Sequence, residues 1–257
     1  MRSADARLAR GAALGIALLA GCSGTISPFR RHAVVGRDPY LVFVGDGPGG
    51  RSDLFAVRGD GGPVFQVTFT PVAEFSPALS PDGAMLAFLR ARSAADSAPG
   101  AAWVMNLLNG AERELPLPAG AAPPERVGWS GDGRTIWVRA GGELWRLAAP
   151  PAPPVPRRAA PGERARADSS FGVYLGDPPF TRVVTCDGAL CAQGDTGAPA
   201  PFAPDGRDPA RWGGDSVGYL SGDALMVRSL GPGRPRRVEW SGTPPHPRSL
   251  TYFPGHE

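Results

Sequence analysis

The chain has 257 residues, 42% of them hydrophobic, with 36 Gly, 30 Pro and a formal net charge of +3. This many turn formers excludes a helical bundle, since an interior Gly costs about 1 kcal/mol and an interior Pro about 3 kcal/mol; the absence of a Gly at every third position excludes collagen, and the apolar content with low charge excludes wholesale disorder. All 27 basic residues are Arg, which reads as coding bias of a GC-rich genome rather than a nucleic-acid footprint, and the length suits one large β domain or two small ones.

Residues 1–21 read as an export signal. Arg2, Arg7 and Arg10 precede an apolar run over 11–20, too short for a bilayer span of about 20 residues. The run ends in Leu19-Ala20-Gly21-Cys22, which resembles the lipobox of bacterial lipoproteins; an ordinary signal peptide with a chance Cys is the alternative. The resemblance implies cleavage before Cys22, a diacylglycerol on its thiol and an acylated new amino terminus. Such chains anchor at about 0.8 kcal/mol per buried methylene. Ser23, in place of Asp, implies the outer membrane, facing the periplasm. Cleavage removes three Arg and one Asp, so the net charge falls from +3 to +1, too little overall for nucleic acid or acidic lipid. Residues 22–39, polar with Gly, Pro and Arg, are expected to be a lipidated tether.

From residue 40 the pattern is short strands and turns. Runs rich in Val, Leu, Phe, Trp and Tyr predict strands near 41–45, 53–58, 63–68, 75–79, 85–91, 102–107, 111–115, 126–130, 135–139 and 143–148. Residues 148–168 then hold a Pro-rich, Arg-bearing stretch, expected to be an extended excursion from the third repeat. Strands resume near 171–176, 181–185, 189–193, 216–220, 224–229, 235–239 and 249–253. No stretch holds a helical apolar period for three turns.

Repetition narrows the all-β choices to a β-propeller over 40–257. FSPALSPDGAMLAFLRA from Phe75, ERVGWSGDGRTIWVRAGGELWRL from Glu125 and ARWGGDSVGYLSGDALMVRSL from Ala210 share one plan. Each has a short strand, an Asp-bearing turn (Asp82, Asp132, Asp215) and an apolar strand. Repeats start about 40–50 residues apart, the length of a four-stranded blade. In Ser80-Pro81-Asp82-Gly83, Pro presets φ, Asp bonds the backbone and Gly takes the positive φ; Asp132-Gly133 repeats the pair. Five blades are counted, and six remain open. The ring closes either through 249–253 or through Ala33-Val34-Val35.

Asp53-Leu54-Phe55, Asp60-Gly61-Gly62, Val67-Thr68, Ser80-Pro81-Asp82-Gly83 and Leu86-Ala87-Phe88 resemble the TolB-like, WD-repeat-like propeller repeat of bacterial envelopes. The resemblance implies a propeller that binds envelope proteins or peptidoglycan-associated components. The separate amino-terminal domain of TolB is not expected, since only a short segment precedes the first strand.

Motifs that carry chemistry are few. Cys186 and Cys191, in an oxidising compartment, point to a disulfide. A two-residue turn at Asp187-Gly188 places them diagonally, about 7–8 Å apart and beyond the usual range; a four-residue loop places them opposite. Gly45-Asp46-Gly47-Pro48-Gly49-Gly50 matches a phosphate-loop spacing, but a strand follows where a helix is needed. Gly128-Trp129-Ser130-Gly131 lacks the last Gly of a nucleophile elbow, and Gly214-Asp215-Ser216 falls on a repeat turn. His32, His246 and His256 lack ligand spacing, so no metal, cofactor or catalytic residue is expected. The six Trp are expected between blades. The function expected is a lipid-anchored, non-enzymatic protein-interaction or ligand-binding module, without nucleic acid. The alternative is a lactonase- or lyase-like enzyme with its site at the central channel.

Overall fold

The computed structural model describes residues 27–175, 181–194 and 196–256; Cys22 and the signal lie outside them. In chain order the elements are β1 (Tyr40–Asp46), β2 (Ser52–Arg58), β3 (Gly62–Pro63), β4 (Phe65–Gln66), β5 (Glu74–Leu79), β6 (Met85–Arg90), β7 (Ala101–Asn106) and β8 (Glu112–Leu115). There follow β9 (Pro124–Trp129), β10 (Thr135–Ala140), β11 (Glu143–Ala148), β12 (Arg157–Arg158), α1 (Pro161–Ser170), β13 (Val173–Leu175), β14 (Thr181–Cys186), β15 (Ala189–Gln193) and β16 (Ala200–Ala203). The chain ends with β17 (Gly206–Gly213), β18 (Ser216–Ser221), β19 (Ala224–Ser229), β20 (Arg236–Val238), β21 (Trp240–Ser241) and β22 (Arg248–Phe253).

These strands make five four-stranded antiparallel blades. Blade 1 is β22-β1-β2-β4, blade 2 is β5-β6-β7-β8 and blade 3 is β9-β10-β11-β12. Blade 4 is β13-β14-β15-β16 and blade 5 is β17-β18-β19-β20. The carboxyl-terminal strand therefore closes the ring, pairing Tyr40 with Phe253 and Val42 with Thr251. Parallel β21 and β3 add a link between blades 5 and 1. Each innermost strand runs from one end of the ring, here the upper face, to the other, the lower face.

Blades stack on both sides, so the second strands of blades 1 and 2 are apolar nearly throughout rather than alternating. All of Tyr40 through Val44 is buried, as is Leu86 through Leu89. Four seams carry large apolar clusters. Tyr40, Phe88 and Leu107 fill blades 1–2; Leu89, Trp129 and Ile136 fill blades 2–3. Leu190, Phe202 and Tyr219 fill blades 4–5; Phe43, Trp212 and Leu220 fill blades 5–1. The packing role expected of tryptophan is plain at Trp212, stacked on Tyr252 at 3.9 Å across a seam. Trp129 likewise donates from Nε1 to the Ala78 carbonyl of the preceding blade at 2.9 Å.

The seam between blades 3 and 4 differs. There the Pro/Arg-rich segment, expected to be extended throughout, supplies the outer strand β12 and then folds as α1. Pro161 opens the helix and the Glu163 carboxylate accepts from the Ala160 N–H at 2.9 Å, so local capping suffices. The helix buries Ala167, with Trp137, Leu144, Ala159 and Phe171 around it. Arg139–Asp168 and Arg146–Glu163 ion pairs tie it to blade 3.

A second departure concerns the expected tether. Residues 27–38 are docked on the lower face as consecutive turns. Phe29 is 0% exposed, its ring 4.7 Å from Tyr40 and 5.1 Å from Phe65. Ser27 donates to the Leu107 carbonyl, and the His32 ring stacks on Phe65 at 4.1 Å. A polar-looking stretch thus docks through one aromatic anchor. The His256 N–H donates to the Arg37 carbonyl at 2.9 Å, so residues 37 and 256 meet on this face.

Candidate binding site in the axial cavity

The five innermost strands surround a cavity of about 720 Å³ on the ring axis. Its wall is shaped by a device that recurs in three of them. Ser76, Asp208 and Ser249 hold positive φ of 49°, 50° and 53°. At each, the register with the second strand slips, so Ser76-Pro77, Asp208-Pro209 and Ser249-Leu250 form β-bulges. Pro fits the position because a bulge leaves one N–H without a ladder partner. All six residues line the cavity. Hydrogen bonds stitch the strands around it: the Ser249 N–H donates to Asp208 Oδ1 at 3.0 Å, and the Leu79 N–H to Thr251 Oγ1 at 3.1 Å.

The charged side chains described in the wall are Arg126, Arg139, Arg182 and Arg211 against Asp168 and Asp208. Both acids are committed: Asp168 pairs with Arg139 at 2.5 Å and Asp208 with Arg207 at 2.8 Å. Arg126 and Arg139 are cross-strand partners, and both guanidinium groups lie over the Phe171 ring, at 5.5 and 5.1 Å. Arg126 also donates to the Phe171 carbonyl at 2.5 Å. Enclosure, and then the like charge of Arg139, push the Arg126 guanidinium below its ordinary value. An anionic group between the two would relieve that repulsion. The wall is therefore positive, with an aromatic face at its upper mouth, suited to holding a carboxylate or phosphate-bearing group.

None of the residues singled out from sequence lines this cavity. Asp82-Gly83 and Asp132-Gly133 sit in lower-face turns of identical construction. Ser80 Oγ lies 2.5 Å from Asp82 Oδ1, and the Gly83 N–H donates to the Ser80 carbonyl at 2.9 Å. The corresponding distances in 130–133 are 2.6 and 2.9 Å. Asp215 lies in a tighter hairpin between Gly213 and Ser216. Cys186 and Cys191 form a disulfide at the upper end of blade 4. The hairpin turn is Asp187-Gly188, both residues at positive φ, so the cysteines are diagonal. Their Cα atoms are nonetheless 6.0 Å apart, because strand twist shortens one diagonal of a hairpin.

The glycine-rich loop from Gly45 is a β1–β2 hairpin connection, closed by Gly47 N–H to the Arg51 carbonyl at 2.7 Å. The three histidines are apart, on Phe65, Asp46 and Phe253. Among the described residues no group of three or more His, Cys, Asp or Glu is placed to hold a metal ion. The wall residues were missed because arginines dispersed over three repeats make no linear motif. The repeated Ser-Pro-Ala (76–78) and Asp-Pro-Ala (208–210) were the available signal.

No family model matches the chain, and no curated protein matches it. Among solved structures it is similar to TolB from Acinetobacter baumannii, with 18% identity and a TM-score of 0.53 over 83% of this chain. The match spans 66% of that protein's length. A TolB from Agrobacterium tumefaciens aligns with 15% identity over 79% of this chain and 70% of its own, at a TM-score of 0.36. A chain of a nidogen/laminin complex aligns with 11% identity over 78% of each, at 0.39. The fold is a TolB-like β-propeller of five blades.

Proposed function

We propose that this chain is a non-enzymatic interaction module of the cell envelope, anchored through lipid on Cys22, that receives an anionic group of a partner in its axial cavity. The excess of arginine in the cavity wall carries the reading. Both acids there are already paired, so a partner's negative charge meets guanidinium groups that need a counter-charge. Arg126, Arg139 and Arg182 stand on the paired strands β9, β10 and β14, which limits the ordering cost of binding. The lipobox-like sequence at Cys22 supports the envelope setting, as does the disulfide, of a kind that persists in an oxidising compartment.

Crosslinking the lipidated chain in its native envelope, followed by purification and mass spectrometry, tests the proposal. One partner should be recovered in near-stoichiometric yield. The double variant Arg126→Ala, Arg182→Ala should lose it by about tenfold or more, as expected for two charge-assisted contacts of at least 1 kcal/mol each. Cys22→Ala should lower the yield by removing the chain from the membrane. A partner retained undiminished by the double variant overturns the assignment to the cavity. Turnover of a lactone by the purified chain, abolished by Arg126→Ala, would replace the binding module with an enzyme.

A further inference from the structure

Residues 27–38 have a second consequence when taken with the position of Cys22. Phe29 is wholly buried between blades 1 and 2, and Ala33 and Val35 pack against the same cluster. Residues Ala33 and Val35 face inward; Arg30, Arg31, Val34 and Arg37 are exposed, Val34 by 55%. None of these three arginines has an ion pair among the described residues, although the overall charge is near balance. The docked segment thus sets three arginines, the Asp38 carboxylate and one exposed apolar side chain on the lower face, which also carries the turn carboxylates Asp82, Asp132 and Asp215. It is held there by the Val34 N–H to Asp38 Oδ2 bond at 2.8 Å and by the Arg37 carbonyl's bond to His256.

Ser27 is the first residue fixed to the propeller, through the Leu107 carbonyl. From Cys22 to Ser27 the chain can reach at most about 18 Å, since an extended residue spans roughly 3.3–3.6 Å. A lipid on Cys22 therefore holds Ser27, and the lower face with it, within that reach of the membrane.

We infer that the lower face, through Arg30, Arg31, Val34 and Arg37, lies against the lipid headgroups, and that the upper mouth of the cavity is held away from the membrane. The inference rests on the lipobox reading of Cys22. Anionic lipid complements the three arginines, and acyl chains supply the second signal a stable anchor needs. Arg126, Arg139 and Phe171, on the opposite face, are then presented to whatever stands off the membrane.

The test uses the lipidated full chain in vesicles of phosphatidylethanolamine and phosphatidylglycerol. A photo-crosslinking amino acid is placed singly at position 34 or 37 on the lower face, or at 164 or 187 on the upper. Intact mass reports acylation separately: an unacylated chain removes the lipobox reading, whatever the orientation. With acylation present, positions 34 and 37 should form lipid adducts at least fivefold more than 164 and 187. Equal adducts on both faces, or an upper-face excess, overturn the inference.

Twenty Gly/Ser residues inserted between Ser23 and Gly24 should keep acylation and lessen the bias. A bias unchanged by the insertion would mean that tether length does not set the orientation. Replacing Arg30, Arg31 and Arg37 together by Gln should reduce adducts at position 34 by threefold or more in the long-tether form; no reduction overturns the headgroup contact.

Discussion

At the scale of single residues the lower-face turns show how few atoms fix a blade. Gly83 holds φ at +66°, and a Cβ there would meet the Phe253 ring at 2.6 Å. Tyr40 also donates its hydroxyl to the Gly83 carbonyl, so the turn touches both β1 and, through Phe253, the strand that closes the ring. Gly83→Ala should cost about 2–3 kcal/mol, combining the positive φ with overpacking. Gly131, in the sister turn, has an ordinary φ and open space around it, and Gly131→Ala should stay within about 0.5 kcal/mol. Urea unfolding of the pair checks both. Buried charge makes a different prediction. Glu74 is 0% exposed and pairs with Arg90 at 2.8 Å; Thr68 donates to it, and Arg90 also reaches Glu112 at 2.6 Å. Burial holds the Glu74 carboxyl above its ordinary value despite these partners. A raised folded value means stability fully present below the ordinary carboxyl range and lost as pH rises through the folded value. Wild-type unfolding free energy minus that of Glu74→Gln, from urea unfolding, should therefore rise as pH falls from 8 toward 5. The turns were legible because Pro, Asp and Gly each have a local reason to be there. The positive φ at Ser76, Asp208 and Ser249 was not, since only cross-strand register makes it necessary.

At the scale of elements the strands followed from apolar runs, while the pieces that break the repeat did not. The helix α1 carries charged and small residues, so it has no apolar stripe to read; it is held by caps, two ion pairs and one buried alanine. Its close approach depends on Gly128 in β9, where a Cβ would lie 2.8 Å from the Ser170 carbonyl oxygen and 3.2 Å from the Phe171 ring. Gly128→Ala should push the helix end off blade 3, cost about 1–3 kcal/mol and weaken partner capture by displacing Phe171 from Arg126. Thermal melts and the crosslinking yield measure the two effects. The docking of residues 27–38 was not legible for the converse reason. Its composition is that of a linker, and a single aromatic decides its fate. Phe29→Ala should cost about 3–5 kcal/mol if the cavity stays unfilled, and limited proteolysis should then cut within residues 30–38. The Cys186–Cys191 disulfide closes a short loop, so replacing both cysteines by Ser should cost only about 2 kcal/mol.

At the scale of the whole molecule the blade plan was readable because the same turn recurs, and the ring's closing strand was one of two choices. Pairing of β22 with β1 removes the free edge that blade 1 would otherwise expose. A chain ending at residue 247 should populate aggregates at micromolar concentration, detected by light scattering, where the full chain stays dispersed. The cavity was the least readable part, for it is assembled from at least three residues of every blade and exists only when the circle is complete. Closure also sets the order of biosynthesis. Blades 2, 3 and 5 pair strands close in sequence, whereas Thr251 must find Val42, a contact that slows folding. A nascent chain emerging amino end first can finish later blades while Tyr40–Asp46 still lacks its neighbour. That strand stays adhesive until Arg248–Phe253 is made, which makes Tyr40–Asp46 the strand most in need of a chaperone.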